Sequence, residues 1–341
     1  MDYLGKEIPK LGFGLMRLPM KDGAIDVEQV KAMTDKFLAA GFTYFDTAFA
    51  YPGSEEAIRA ALVERYPRKR YQLATKLPAW SAGNEEAAKK MFFTSLERTG
   101  AGYFDFYLLH NLGDEKTDVF ERYHMWEFAL EQKEKGLIRH LGFSMHDKAD
   151  ALDKVLTRHP EAEFVQLQIN YADWESETIQ SRKCYETARK HGKPVIIMEP
   201  VKGGMLASPP EPVEDILKEA DPDGSCASWA LRFAASLEGV ITVLSGMSNL
   251  EQMEDNLSTM DRFRPLSEEE RDVIGRAAEQ LARIPSIPCT GCRYCVKGCP
   301  KKINIPSVFE AMNLYLVYKN LVSAKRSYGW AVSDGAGKAS E

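Results

Sequence analysis

The amino-acid sequence predicts an α/β fold: a (β/α)₈ TIM barrel followed by a small C-terminal module rich in cysteine. Eight short apolar segments recur, mostly at intervals of about thirty residues, with amphipathic helical patterns between them. The chain has 341 residues, whereas a barrel of this kind takes roughly 250. We therefore expect the barrel to occupy residues 1–283 and the module residues 284–341.

The eight apolar segments have the composition of parallel strands that are buried on both faces. Most are near-continuous runs of Val, Ile, Leu, Phe and Tyr, although Gly12 and Gly14 interrupt the first. The predicted strands are residues 11–18, 43–48, 71–76, 104–110, 138–144, 164–170, 194–200 and 240–246. An open doubly wound sheet is the alternative, but no G-x-G-x-x-G sequence follows any of these segments, which favours the barrel.

Helices are predicted between the strands, because charged residues line one face of each pattern and apolar residues the other. They cover residues 26–40, 54–65, 84–98, 117–135, 148–158, 176–191, 225–237 and 267–283. Two prolines in residues 284–288 predict a linker, since proline does not continue a helix. Beyond it we expect a short helix over residues 307–317 and disorder over the polar residues 333–341.

Composition and charge indicate a soluble cytoplasmic protein. Hydrophobic residues make up 44% of the chain, charged residues 28%, and the net charge is −6, which argues against a nucleic-acid partner. No apolar run approaches the roughly 18 residues that a membrane span requires. The N-terminus has no basic region followed by an apolar core, so no secretory signal and no membrane partner are expected.

Polar side chains end three adjacent predicted strands, where a barrel places its active site. Asp46 ends the second strand, Lys76 the third and His110 the fourth, and Tyr51 follows Asp46 closely. Each residue alone has an ordinary interpretation: a helix cap, a lysine extended to the rim, a hydrogen-bonded core histidine and loop packing. Their coincidence on neighbouring strands favours a shared catalytic site.

These four residue types suit the reduction of a carbonyl group, which needs a hydride on carbon and a proton on oxygen. Tyrosine, with an ordinary pKa of about 10, is a weak acid at neutral pH. A neighbouring ammonium group stabilises the phenolate and lowers that pKa, and an aspartate keeps the lysine charged. Histidine is suited to hold the carbonyl oxygen toward the tyrosine.

At these residues the sequence resembles the aldo-keto reductase superfamily, over about residues 11–281. The matching segments are GFTYFDTAFAYPGSEEAIRAAL at 41–62, LATKLP at 73–78 and FYLLHNL at 106–112. The resemblance implies an NAD(P)-dependent oxidoreductase that reduces an aldehyde or ketone. It also implies that Tyr51 is the general acid, that Lys76 and Asp46 tune it, and that His110 orients the substrate.

The resemblance implies a nicotinamide site that is matched less completely. Ser144 matches the family pattern, Gln168 is expected to hold the nicotinamide amide, Met145 replaces the usual asparagine, and Met198 stands where many members have a tyrosine. The other implied cofactor-binding residues are Pro200, Gly203 and Gly204 near the diphosphate, and Gly246, Ser248, Gln252 and Asn256 around the adenosine.

The choice between NADP and NAD stays open. Many NADP-dependent members carry Lys or Arg in the adenosine segment to pair with the 2′-phosphate. Residues 239–260 contain neither, and Glu251, Glu254 and Asp255 are acidic.

Four cysteines fall within eleven residues, unlike the dispersed cysteines of a disulfide framework. Cys289, Cys292, Cys295 and Cys299 read C-x₂-C-x₂-C-x₃-C-P, the spacing typical of bacterial ferredoxin-like 4Fe–4S sites. Structural zinc is the alternative, but it usually takes two cysteine pairs separated by a longer loop. The sequence therefore predicts an iron–sulfur cluster in the module.

The fourth ligand of this cluster is left open. In two-cluster ferredoxins the last cysteine of such a run binds the other cluster. The chain resembles the ferredoxin-type branch of the family, in which two such runs follow the barrel, so we expect the module to be incomplete. Cys299 then either completes the first cluster or lacks a partner. Cys226 is a weaker candidate for the fourth ligand. The more ordinary interpretation of Cys226 and of Cys184 is that both are buried core residues.

The sequence thus predicts an enzyme acting on a small carbonyl substrate, with a cluster that either exchanges electrons with a redox protein partner or braces the module. The alternative is a redox-sensing or regulatory subunit that binds nicotinamide with little turnover. The complete set of four polar residues favours the enzyme.

Overall fold

Eight parallel strands form a closed barrel in the computed structural model, which describes residues 2–4, 6–113, 116–287, 289, 294–333 and 336–340. The barrel strands are β1 (Leu11–Gly14), β2 (Tyr44–Asp46), β3 (Gln72–Leu77), β4 (Phe104–Leu112), β5 (Ile138–Met145), β6 (Phe164–Gln168), β7 (Val195–Met198) and β8 (Val240–Ser245). They pair in chain order, and β8 pairs with β1 to close the ring. The predicted barrel is confirmed.

Apolar side chains fill the lower part of the barrel interior. Tyr44, Phe106, Phe164 and Ile196 belong to one buried cluster contributed by four different strands. A two-stranded antiparallel sheet of Asp2–Tyr3 and Lys6–Glu7 precedes β1. Because apolar packing closes this end, the polar residues of the barrel are left at the opposite end, where the strands finish.

Helices separate successive barrel strands. They are α1 (Val27–Ala39), α2 (Ser54–Ile58, continuing as a π-helical turn Arg59–Val63), α3 (Glu85–Thr99), α4 (Thr117–Arg122), α5 (Met125–Glu134), α6 (Ala149–Arg158), α7 (Ser181–Lys190), α8 (Glu211–Ala220), α9 (Cys226–Ala235), α10 (Leu250–Asp261) and α11 (Glu268–Arg283).

Two predicted helices differ from the observed ones because of a left-handed residue. His124 has a φ of 52°, which divides the predicted helix over 117–135 into α4 and α5. Gln180 has a φ of 59°, so α7 begins at Ser181 and not at residue 176. Two further helices of the barrel region, α8 and α10, are not predicted, and neither are the later helices Tyr294–Lys297 and Leu321–Ala331. Over the residues of α10 the sequence predicts only an adenosine-binding segment.

The C-terminal part contains α12 (Tyr294–Lys297), α13 (Ile305–Tyr318) and α14 (Leu321–Ala331). Val317 and Tyr318 pack against the apolar cluster between α8, α9 and α11, so this part is joined to the barrel wall. The predicted helix over 307–317 lies within α13. In the described part of residues 284–341, no ferredoxin-like sheet is formed.

The expectation of disorder over residues 333–341 is not met by the described residues of that segment. Gly337 forms a parallel bridge with Ile303, and the Ala339 amide donates to the Tyr328 hydroxyl at 3.0 Å. These backbone hydrogen bonds tie the polar segment to its neighbours. Within the part of the chain that the structure describes, every helix is too short or too polar to cross a membrane.

Candidate active site

A buried ion pair joins the ends of β2 and β3. Lys76 Nζ lies 2.5 Å from Asp46 Oδ2 and 2.7 Å from the carbonyl oxygen of Thr47. Lys76 is 1% exposed and Asp46 is 3% exposed, so water contributes little to the solvation of either charge. Each charge therefore depends on the other for its stabilisation.

Tyr51 reaches the same lysine from the short loop between β2 and α2. Its hydroxyl oxygen lies 3.3 Å from Lys76 Nζ, and Nζ lies 4.8 Å from the centre of the Tyr51 ring. The loop is held by tight turns: the Tyr51 amide donates to the carbonyl of Ala48 and the Ser54 amide donates to the carbonyl of Tyr51. These turns fix the phenol against the ammonium group.

His110 lies beside the phenol at the end of β4. Its ring centre is 6.0 Å from that of Tyr51, with the two rings nearly perpendicular. Trp80 Nε1 donates to the His110 carbonyl at 2.9 Å, which braces the end of the strand. His110 Nδ1 is buried and has no hydrogen-bond partner within the described part of the chain. The structure thus brings all four predicted residues together.

The ion pair keeps Lys76 charged. Burial lowers the pKa of Lys76, but the adjacent Asp46 and Tyr51 outweigh this effect and raise it above its ordinary value. Burial raises the pKa of Asp46, and Lys76 opposes that change. The lysine is therefore a cation at neutral pH.

Lys76 lowers the pKa of Tyr51, as expected, but it does not bring that pKa below its ordinary value. Burial raises the pKa of Tyr51, and the lowering effect of Lys76 offsets this only in part. Tyr51 therefore holds its proton at neutral pH. Burial, together with the charge of Lys76, places the pKa of His110 well below its ordinary value, so this ring is neutral.

This arrangement can donate a proton and stabilise the anion that remains. A neutral phenol carries the proton, a fixed ammonium group lies within hydrogen-bond distance of the resulting phenolate, and a neutral imidazole lies alongside. Proton donation of this kind needs a positioned acid and does not need a metal ion.

The predicted nicotinamide residues lie at the ends of β5 and β6 and are already hydrogen-bonded. Ser144 Oγ accepts from the Asn111 amide at 2.8 Å. Gln168 Nε2 donates to Asp173 Oδ2 at 3.2 Å, and Gln168 Oε1 lies 3.3 Å from His146 Nδ1.

A polar network around Asp173 was missed by the sequence analysis. Asp173 accepts from Asn170 Nδ2 at 2.9 Å and from Lys202 Nζ at 2.5 Å. Asn170 also donates to the carbonyl of Glu199 at 3.2 Å, and Glu199 has a left-handed φ of 54°. Asn170 lies two residues after Gln168, but no sequence pattern links it to Lys202 in a different loop.

The predicted diphosphate loop has an open backbone after β7. Pro200 is buried, and Gly203 and Gly204 have φ values of 65° and 96°, which glycine adopts without strain. At Gly203 and Gly204 no side chain therefore covers the backbone of this loop.

The predicted adenosine residues gather where β8 meets α10. Ser248 N donates to Gln252 Oε1 at 2.8 Å, and Gly246 follows the end of β8. Asn256 is buried and donates to Ser245 Oγ at 2.6 Å, so in this structure its amide fastens α10 to β8. Lys36 pairs with Glu254, which offsets part of the acidity of α10.

The cysteines of the predicted cluster are only partly described. Cys289 and Cys295 are exposed, Cys299 is half-buried, and Cys292 lies outside the described residues. Among the described residues, no three His, Cys, Asp or Glu side chains group as a metal site. Cys184 and Cys226 are buried, and burial raises the pKa of both thiols, as expected of core residues.

The fold and site define a parallel α/β barrel protein with a buried lysine, a carboxylate and a tyrosine at its carboxyl-terminal mouth. Residues 10–279 match the Aldo/keto reductase family, and the chain belongs to that family.

Individual relatives agree with this assignment. An aldo-keto reductase of Mycobacterium sp. (strain KMS) is 33% identical over 144 residues, which are 41% of this chain and 47% of that protein. The matched region thus spans about half the length of the curated mycobacterial relatives.

Solved structures match over more of the chain. An aldo-keto reductase of Bacillus halodurans in its holo form has a TM-score of 0.65 and 25% identity, and the match covers 80% of this chain and 93% of that one. One of Klebsiella pneumoniae in complex with NADPH has a TM-score of 0.61 and 23% identity, covering 79% and 90%.

A double-mutant cycle on the ion pair tests its role in stability. Lys76→Met leaves a buried carboxylate unpaired, and we expect it to lower the free energy of unfolding by about 3–5 kcal/mol. Asp46→Leu should cost a similar amount. The double variant should lose clearly less than the sum of the two, because no buried charge remains. Urea unfolding of the four proteins measures this, and additive losses would show that the charges do not depend on each other.

Proposed function

We propose that this chain reduces an aldehyde or ketone with NADPH or NADH, with Tyr51 as the proton donor. The observation that carries the proposal is the 3.3 Å separation between the hydroxyl of the half-buried Tyr51 and the ammonium group of the buried Lys76. Asp46, Lys76, Tyr51 and His110 match the motifs of the family to which the chain belongs.

Each side chain has a distinct part in the proposed reaction. Tyr51 gives its proton to the carbonyl oxygen, and Lys76 stabilises the phenolate that is left. Asp46 holds the ammonium group in place. Neutral His110 donates a hydrogen bond that directs the carbonyl oxygen toward Tyr51. The reduced nicotinamide, when bound, supplies the hydride for the carbonyl carbon.

The residues at the mouth fit a nicotinamide dinucleotide. The backbone at Gly203 and Gly204 has no side chain to exclude a diphosphate, and the half-buried Gln168 lies at the end of β6, where the nicotinamide amide is expected. The Klebsiella neighbour is described with NADPH, which favours that cofactor. The absence of Lys and Arg from residues 239–260 favours NADH. The ratio of the dissociation constants for NADPH and NADH decides which of the two is the preferred cofactor.

Replacing Tyr51 with phenylalanine tests the proton donor. We expect Tyr51→Phe to lower kcat by about 10²- to 10⁴-fold, since one positioned acid contributes this much, and to leave the dissociation constant of the cofactor nearly unchanged. The decrease of reduced-nicotinamide absorbance is measured with a panel of small aldehydes. Tyr66→Phe, at a half-buried tyrosine whose hydroxyl donates to Asp35 of α1, is the matched control. Equal turnover of Tyr51→Phe and the unaltered protein would contradict the assignment.

A regulatory subunit that binds nicotinamide without turnover is the alternative. The same assay separates the two functions, because tight cofactor binding with no turnover on any carbonyl would favour regulation. The buried phenol–ammonium contact favours the enzyme, since cofactor binding alone does not need it.

We also propose a division into a barrel over residues 1–283 and a cysteine module over residues 284–341 that binds an iron–sulfur cluster. Support comes from the spacing of Cys289, Cys292, Cys295 and Cys299 and from the free thiols of the three described members. The described residues do not form an assembled metal site, so no step of the reaction is assigned to a cluster. An electron-transfer partner for it is likewise a proposal.

Iron and acid-labile sulfide analysis after anaerobic purification tests the cluster. We expect about four of each per chain and a visible charge-transfer spectrum. Cys295→Ser should remove both signals, whereas Cys184→Ala, at a buried thiol of the barrel, should keep them. A chain that holds zinc, or that holds no metal after anaerobic reconstitution, would contradict the proposal.

A further inference from the structure

We propose that Arg17 binds the diphosphate of the dinucleotide; this inference rests on the proposed function. Arg17 ends the 3₁₀ turn Leu15–Arg17, which directly follows β1. It is half-buried and lies at the same end of the barrel as Asp46, because β1 and β2 are parallel with Gly14 opposite Asp46.

Three loops meet at Arg17. Its guanidinium group lies against Gly203 in the loop after β7: a Cβ atom built on Gly203 would lie 3.3 Å from Nη2 and 3.4 Å from Nη1. Ser248, in the loop after β8, donates from Oγ to the Arg17 carbonyl at 2.8 Å. The backbone of Arg17 is thus hydrogen-bonded to the loop after β8, and its guanidinium group lies against the loop after β7.

In the part of the chain that the structure describes, no carboxylate forms an ion pair with the Arg17 guanidinium group. The neighbouring cation, Lys202, is already paired with Asp173. A half-buried guanidinium without a carboxylate carries a desolvation cost that a bound anion would offset. Its planar donors suit phosphate oxygens better than a lysine would.

The diphosphate is the favoured anion. Gly203 has a φ of 65° and no side chain, so a phosphate oxygen can approach its backbone next to the guanidinium. The Gly204 amide is occupied, because it donates to the Val201 carbonyl at 3.0 Å. In barrels, phosphate sites frequently lie between the loops after the seventh and eighth strands. Arg17 reaches this position from the first strand, and it supplies a cation that residues 239–260 lack.

Calorimetric titration with NADH and with NADPH tests the assignment without using turnover. Arg17→Gln should weaken the binding of both dinucleotides by about 10- to 100-fold, the loss expected when a charged hydrogen-bond donor is removed. The dissociation constants of Arg17→Lys should lie between those of Arg17→Gln and the unaltered protein, because lysine keeps the positive charge and lacks the planar set of donors of a guanidinium group. Arg276→Gln, at an exposed arginine of α11, makes the same change of net charge and should bind as the unaltered protein does.

The outcomes separate this inference from the proposed function. If the unaltered protein binds both dinucleotides and Arg17→Gln binds them equally well, the inference is overturned and the proposed function stands. A loss confined to NADPH would assign Arg17 to the 2′-phosphate and would also overturn it. If the unaltered protein binds neither dinucleotide, the proposed function fails first. If Arg17→Gln does not fold, the dissociation constants of Arg17→Lys and the unaltered protein are compared instead. Equal constants for both dinucleotides would then overturn the inference.

Discussion

The buried pair of Lys76 and Asp46 is the interaction on which the rest of the barrel mouth depends. Two charges that are almost inaccessible to water need each other, because burying either one alone costs several kcal/mol. Tyr51 is the third member: its half-buried phenol lies beside the lysine and is partly shielded from water. The balance of these effects leaves a proton on the phenol and a stabilised anion once that proton is transferred.

The barrel makes this pair possible by its register. Asp46 lies opposite Ala74, two residues before Lys76 on β3, and the long lysine side chain spans this offset to reach the carboxylate above an apolar interior. The loops that follow other strands reach the same face. Gly203 and Ser248 contact Arg17 there, and Asp173 holds Lys202. The groups proposed for cofactor binding and for proton donation thereby lie in neighbouring parts of one surface.

The strands and the four mouth residues were predictable because each depends on local pattern: an apolar run, its end, and the polar residue there. The direction in which the pKa of Tyr51 shifts was not predictable, because the burial that raises it depends on the assembled barrel mouth. His124 and Gln180 have a left-handed backbone, although neither is a glycine that would have indicated it in the sequence. The predicted ends of the helices beside them were therefore misplaced. Arg17 and the Asp173–Lys202 pair depend on contacts between loops that are distant in sequence.

The central claim is that the Lys76 ammonium stabilises the Tyr51 phenolate. It is tested most directly by a pH titration of Tyr51 followed by NMR of ring-labelled tyrosine, in the otherwise unaltered protein and in a variant with Lys76→Met and Asp46→Leu, which keeps the site free of buried charge. We expect the pKa of Tyr51 to be higher in the variant, because burial then acts without an opposing cation. An equal or lower pKa in the variant would show that Lys76 does not stabilise the phenolate.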